Sequence, residues 1–334
     1  MDDRLLFLIS APRSGSTLLE RMLASHPAIL GRAEPHLLPP LAHLGYYGRV
    51  DKAPYDPFIT HEAARAFVRD LPRGEADYLD ALRACTDILY GRMLDASGRK
   101  IFLDKTPANA LVLPFLAKLY PQARHLVLTR HPAAIFTSYA DSFFDGDVEV
   151  ANRHNPILDR YVPAIATFLR EKPAPLVHVR YEDLVADPET WMRRVLDFLG
   201  LDFEPGIIEY GREGVAQAGE GLGDPIGVAR HVRPVIASVD KWAEALAADP
   251  RRFDFVRGLL ARLDPQDLSV WGYPAETILD PVGRATGAKP PRARLTRYTL
   301  QRKILVALRR NIHHNALGRV LRRLRFALDV LLRE

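Results

Sequence analysis

Short apolar runs alternate with longer stretches of helical period over the first two hundred residues. "RLLFLIS" (4–10), "KIFLDK" (100–105), "RHLVLTR" (124–130) and "PLVHVR" (175–180) are continuous and bounded by polar residues. That is how strands buried on both faces of a parallel sheet read. A further strand is expected at 28–31. Between the strands lie "STLLERMLAS" (16–25), "ALVLPFLAKLY" (110–120), "PAAIFTSYADSFF" (132–144), "PILDRYVPAIATFLREK" (156–172) and "PETWMRRVLDFLG" (188–200), each with apolar positions at helical spacing. The last follows Asp187, a residue suited to an N-cap, opens on proline and closes on glycine. The alternation predicts an α/β fold, a doubly wound parallel sheet flanked by helices, with ligands at the carboxyl ends of its strands.

Two regions break the rhythm. Residues 35–60 are rich in proline, glycine and aromatics, and 61–95 carry helical patterning; together 35–95 is expected to be a cap inserted over the strand ends. Residues 205–235 are glycine-rich and read as a loop. The expected organisation is a domain over 1–276, a linker over 277–294 and a basic amphipathic helical tail over 295–334.

Composition changes this picture little, but the distribution of charge changes it a good deal. Hydrophobic residues at 48% and charged ones at 26% fit an ordinary globular chain. A single cysteine, Cys85, excludes an intramolecular disulfide framework. The apolar run near the N-terminus is too short for a signal peptide or a membrane span, so a cytoplasmic location is expected. From Lys289 onward there are thirteen Lys/Arg against two acids (Asp329 and Glu334), a charge of +11, which leaves −6 for residues 1–288. The basic character belongs to the tail, and no nucleic-acid partner is expected for the main domain. His313 and His314 have no acidic or cysteine partner at ligand spacing, and no metal site is expected.

"FLISAPRSGSTLLERML" (7–23) is a strand, a tight turn and a helix start, the geometry that holds phosphate on free amides at the positive end of a helix. Gly15 allows close backbone approach, Ser14, Ser16 and Thr17 bring hydroxyls, and Arg13 brings a fixed charge. The glycine and lysine of a triphosphate-gripping loop are absent, which argues against a kinase. A second grip is legible in "RHLVLTRHPAAIFTSY". Arg130 stands at a strand end and Ser138 two helical turns later, suited to an anion such as a sugar phosphate.

"PRSGSTLL" followed by "LTRHPAAIFTSY" resembles the 5′-phosphosulfate loop and the 3′-phosphate motif of sulfotransferases that use 3′-phosphoadenosine 5′-phosphosulfate (PAPS). "LDKTP" (103–107) and "RYEDLVADPE" (180–189) match further family elements, in family order. The likeness is to the prokaryotic, carbohydrate and tyrosylprotein branches and to sulfotransferase domains attached to polyketide synthases. The adenosine motif of the cytosolic branch is missing. In its place "GDPIGVARHVRPVIASVDKW" is similar to the C-terminal nucleotide-binding stretch, with Arg233 and the Lys241–Trp242 pair.

The resemblance implies a P-loop-like fold, PAPS as sulfuryl donor, PAP (3′-phosphoadenosine 5′-phosphate) as product, and no required metal. It implies 5′-phosphate binding by Ser14, Gly15, Ser16 and Thr17 and 3′-phosphate binding by Arg130 and Ser138, with Tyr181 against the adenine or in a packing role. Arg13 and Lys105 are the candidates for stabilising charge on the sulfuryl group and leaving oxygen. An acceptor hydroxyl must lose a proton. Glu34, in the turn after the second strand, is the expected general base, with His36 as its rival or its orienting partner. The acceptor is expected to be a hydroxyl on a small specialised metabolite or a carrier-bound acyl chain, with a carbohydrate or lipid as the alternative. A non-catalytic nucleotide-binding protein is the rival from another class. The tail suits docking on the chain's own core or a dimer partner, a membrane surface in a peripheral attachment, or an acidic carrier protein.

Overall fold

The strands expected from the apolar runs are β1 (Leu5–Ser10), β2 (Ile29–Arg32), β3 (Ile101–Asp104), β4 (Arg124–Thr129) and β5 (Leu176–Arg180), each within one residue of its predicted bounds. In the computed structural model they form one parallel sheet in the order β2-β3-β1-β4-β5. Residues 1–32, 34–48, 56–210, 233–234 and 239–285 are described. β1 is the central strand, with Phe7 beside Asp104 of β3 on one side and Ser10 beside Leu128 of β4 on the other. The strand order reverses at β1, so the loop after it sits at the topological switch point, where open α/β sheets bind ligands.

Along β1, Leu5, Phe7 and Ile9 enter one core and Leu6 and Leu8 the other, the two-residue period of a strand covered on both faces. One cover consists of α1 (Ser16–Ala24) and, after β5, of helices described below. Between β2 and β3 the chain makes α2 (Leu38–Leu41), α3 (Pro57–Asp70) and α4 (Glu75–Ser97), which fill the stretch expected to be a cap. Asp56 caps α3 with its side chain, and Gly74, at φ 56°, turns the chain into α4. Tyr90 and Leu94 bury α4 in the core, and the Tyr90 hydroxyl donates to Asp104 at 2.6 Å, which bolts the insertion to the sheet.

The opposite cover is completed by α5 (Leu113–Leu119), α6 (Pro132–Phe143), α7 (Val148–His154) and α8 (Ile157–Glu171). After β5 come α9 (Tyr181–Ala186) and α10 (Pro188–Leu199), which join α1 on the first face. As the sequence suggests, Asp187 caps α10, accepting from the Thr190 amide, and Gly200 ends it in the left-handed conformation. The described chain closes with α11 (Lys241–Ala247), α12 (Pro250–Leu260), α13 (Pro265–Trp271) and α14 (Asp280–Ala285). The expected linker at 277–294 needs correction in its first part. Ile278 and Val282 are buried in the same core as α11 and α13, so 277–285 packs as part of the domain. The tail at 295–334 lies outside the described residues, as does most of the glycine-rich loop. Among the described residues, no helix is long and apolar enough to cross a membrane.

His125 and His131 are folded away from water and His178 is half-buried, and desolvation pushes each below its ordinary value. His125 falls to about 4, His178 to about 4 and His131 to about 3. Each group binds its proton more readily in the unfolded chain, so stability is whole above about pH 6.5 and drains away as pH falls toward 4, by up to about 1.4 kcal/mol per pH unit for each histidine. Thermal melts at pH 7 and pH 5 are expected to show a lower Tm at pH 5. The difference should shrink in His125→Leu, whose ring now packs between Phe7 and Phe168.

Candidate active site

The loop between β1 and α1 is built from conformations that few residues accept. Gly15 is the N-cap of α1 at φ 91°, and Arg13 sits at φ 70°. A β-carbon on Gly15 would come within 2.6 Å of Tyr181 Cε2, so the tyrosine ring is the floor on which the loop lies. Ser14 is wholly buried, and its hydroxyl has no hydrogen-bond partner among the described residues. A buried hydroxyl without a partner is costly in a closed protein and apt where a ligand oxygen completes it. Ser16 and Thr17 open α1, whose first amides have no acceptor inside the helix.

Arg130 and Ser138, assigned to a second anion, meet Arg13 at this loop. Arg130, at the end of β4, donates from Nη1 to the Arg13 carbonyl at 3.1 Å and lies over the Tyr181 ring at 4.5 Å. Arg13 Nε donates to Ser138 Oγ on α6 at 3.2 Å. Arg13 therefore stands with Arg130 and Ser138 in the structure. Tyr181 is buried under Gly15 and Arg130, which favours its packing role.

Charge for the reacting end comes from β3. Lys105, one residue past that strand, is 1% exposed, and its Nζ donates to Glu34 Oε1 at 2.9 Å. His36 Nε2 lies 3.2 Å from Glu34 Oε2; because an ionised carboxylate only accepts, the proton is on Nε2. His36 holds the left-handed region at φ 50°, and its amide donates to Thr106 Oγ1 at 3.3 Å. Glu34 is thus gripped on one oxygen by Lys105 and on the other by His36, and the two rival bases form one hydrogen-bonded pair. Asp104, sealed beside Lys105, takes bonds from Tyr90 and Asn109, and burial raises its carboxyl above the ordinary range despite them.

Sequence reasoning misses two supporting residues, Glu20 and Trp271. Glu20 of α1 reaches Lys105 with Oε2 at 3.2 Å; the clue is one acid among the inward positions Leu19, Met22 and Leu23. Trp271 donates its indole N–H to the Arg130 carbonyl at 2.9 Å, from a helix distant in sequence. Trp242, assigned to the nucleotide stretch, is buried and stacked on His131 at 4.0 Å. His131 in turn caps α6 through its side chain and donates to the Ile278 carbonyl at 2.9 Å, so Trp242 braces the Arg130 turn from the side. Arg233 is exposed, and its carbonyl accepts from Tyr210 at 3.4 Å. The residues around it are outside the described set.

A glycine-turned loop at the switch point, hydroxyls at a helix start and arginines in place of the loop lysine define an α/β protein of the phosphate-loop-like type. More narrowly, the chain belongs to the sulfotransferase family, whose model matches residues 6–205. It is 34% identical over 229 residues to nodulation protein NoeE of Sinorhizobium fredii, a match covering 62% of this chain and 52% of that protein, about half the relative's length. Protein-tyrosine sulfotransferase 1 of Danio rerio is 25% identical over 309 residues, covering 84% and 78%. Among solved structures, the sulfotransferase domain of the Synechococcus PCC 7002 olefin synthase superposes with a TM-score of 0.51 at 26% identity, over 71% of this chain and 86% of that one.

Proposed function

We propose that this chain is a PAPS-dependent O-sulfotransferase whose general base is Glu34. The observation that carries this reading is the Glu34–Lys105 bridge, a carboxylate and an ammonium held together behind the phosphate-binding loop. The residues present fit the nucleotide. The orphaned Ser14 hydroxyl and the α1 amides suit a 5′-phosphate, while Arg130, Ser138 and Arg13 suit a 3′-phosphate. PAPS, when bound, supplies a sulfuryl group on a phosphosulfate anhydride that needs no metal to be activated. Glu34 removes the acceptor proton, His36 holds the second carboxylate oxygen in place, and Lys105 offers its positive charge to the developing negative charge.

The likeness to a nodulation protein and to the sulfotransferase domain of an olefin synthase supports a specialised metabolite or a carrier-bound chain as acceptor. Calorimetry is expected to show PAP binding at about 1 μM or tighter without magnesium, about −8 kcal/mol. Labelled PAPS is expected to transfer its label to a member of a panel of such hydroxyl acceptors. Binding of ATP with magnesium in place of PAP would reject the reading.

A further inference from the structure

Lys105 is held by two carboxylates where one would neutralise it. Glu34 approaches at 2.9 Å and Glu20 at 3.2 Å, and Glu20 is itself only 3% exposed. Its Oε1 has no hydrogen-bond partner among the described residues. The three groups therefore carry a net charge of −1 in a closed setting, where an excess carboxylate is costly. A leucine at position 20 would match the apolar neighbours Leu19, Met22 and Leu23 on α1. Stability gives no reason for the second acid.

Proton movement does. Resting on the sulfotransferase reading, we infer that Glu20 is a positioning residue for the transfer step: it holds Lys105 from behind, so that Glu34 remains a competent base and Lys105 keeps an anionic partner once Glu34 is protonated. In that step the acceptor O–H proton passes to a Glu34 oxygen and the acceptor oxygen bonds to sulfur. The bond from sulfur to the phosphate oxygen breaks, and its electron pair stays on the nucleotide 5′-phosphate. The buried triad then moves from −1 to 0. Without Glu20 it would move from 0 to +1, and the ammonium would be left with no ionised carboxylate of the protein beside it. An ammonium shared between two carboxylates also stabilises the ionised form of each less than an undivided pair would.

The groups around the triad are accounted for. Glu34 also faces His36, and Tyr161 lies within reach of its charge. Glu20 has Arg21 beside it on α1. Asp104 is turned to Tyr90 and Asn109. Burial, assisted by the charge of Glu34 and opposed by Lys105, raises the Glu20 carboxyl above the ordinary range, in keeping with an acid held at a cost.

The test is Glu20→Gln, close to the native side chain in shape. The kcat plateau is expected to fall about tenfold and its acid limb to move about one pH unit lower, while PAP affinity by calorimetry stays within about twofold. In nucleotide-free protein, carbon-13 titration of the Glu34 carboxyl is expected to move in the same direction, a readout that needs no turnover. Glu20→Asp, which keeps the charge, should recover most of kcat. An unmoved acid limb and an unmoved Glu34 titration in the glutamine variant would overturn the inference, as would a loss expressed as weaker PAP binding. If the glutamine variant does not fold, Glu20→Met, uncharged and suited to the apolar neighbours Leu19, Met22 and Leu23, carries the same titration. A shift in the same direction then supports the inference, and none overturns it. Absence of sulfuryl transfer by the native chain would reject the proposed function while leaving the Glu34 titration to judge Glu20 separately.

Discussion

Glu34→Gln is expected to lower sulfuryl transfer by about 10²–10⁴-fold while PAP affinity stays within about threefold. Glutamine keeps the shape of the side chain and an acceptor oxygen for Lys105, but its amide cannot take the acceptor proton. The nucleotide contacts of Ser14, Arg130 and Ser138 are made by other elements, which is why binding and chemistry should separate. Single-turnover transfer and calorimetry on the same preparation check both halves. Retained turnover would move the base role to His36, whose Nε2 is 3.2 Å from the same carboxylate. A parallel loss of PAP binding would mean that the substitution has disturbed the loop through Lys105, and the glutamate would lose its claim to the chemistry.

The elements of the fold were legible because strands buried on both sides leave uninterrupted apolar runs, and a strand cannot disguise that pattern. The phosphate loop was legible for a related reason. A left-handed position needs glycine and a helix start needs hydroxyls, so "RSGST" wears its geometry openly. What stayed hidden depends on distance in sequence. Glu20 reads as the polar face of an amphipathic helix until β3 brings Lys105 across to it, 85 positions later. Trp271 carries no signal in the sequence and Trp242 reads as part of the nucleotide stretch; only the folded chain sets one against the Arg130 carbonyl and the other against His131. The direction of the Arg13 side chain at a left-handed residue does not follow from the spacing of its neighbours; in the structure its Nε donates to Ser138. The linker at 277–294 is expected from its prolines and glycines, but Ile278 and Val282 are buried in the core beside α11, which composition does not show.

Gly15→Ala carries the second large effect, because two separate costs meet at one atom. The backbone is at φ 91°, where an L-residue is strained by about 1–2 kcal/mol. The added methyl would also press on the Tyr181 ring at 2.6 Å from Cε2, and that ring is in turn held under the Arg130 guanidinium. The loop can relieve the contact only by lifting away from its floor, which carries the α1 amides and Ser14 out of register with any phosphate they hold. PAP affinity is expected to fall by at least about 100-fold, which corresponds to about 2.7 kcal/mol, with Tm lowered by several degrees. A double-mutant cycle with Tyr181→Ala separates the costs. The single Tyr181→Ala change removes the floor, and in the pair the alanine methyl meets open space, so the loss in the double variant should be smaller than the sum of the two single losses. What survives in the double variant is the backbone strain together with the loss of the tyrosine floor. Strict additivity would mean that Gly15 is required for its φ value and that Tyr181 places no steric demand on it. That would return the tyrosine to the nucleotide, where a loss of adenosine selectivity on its replacement would reveal it.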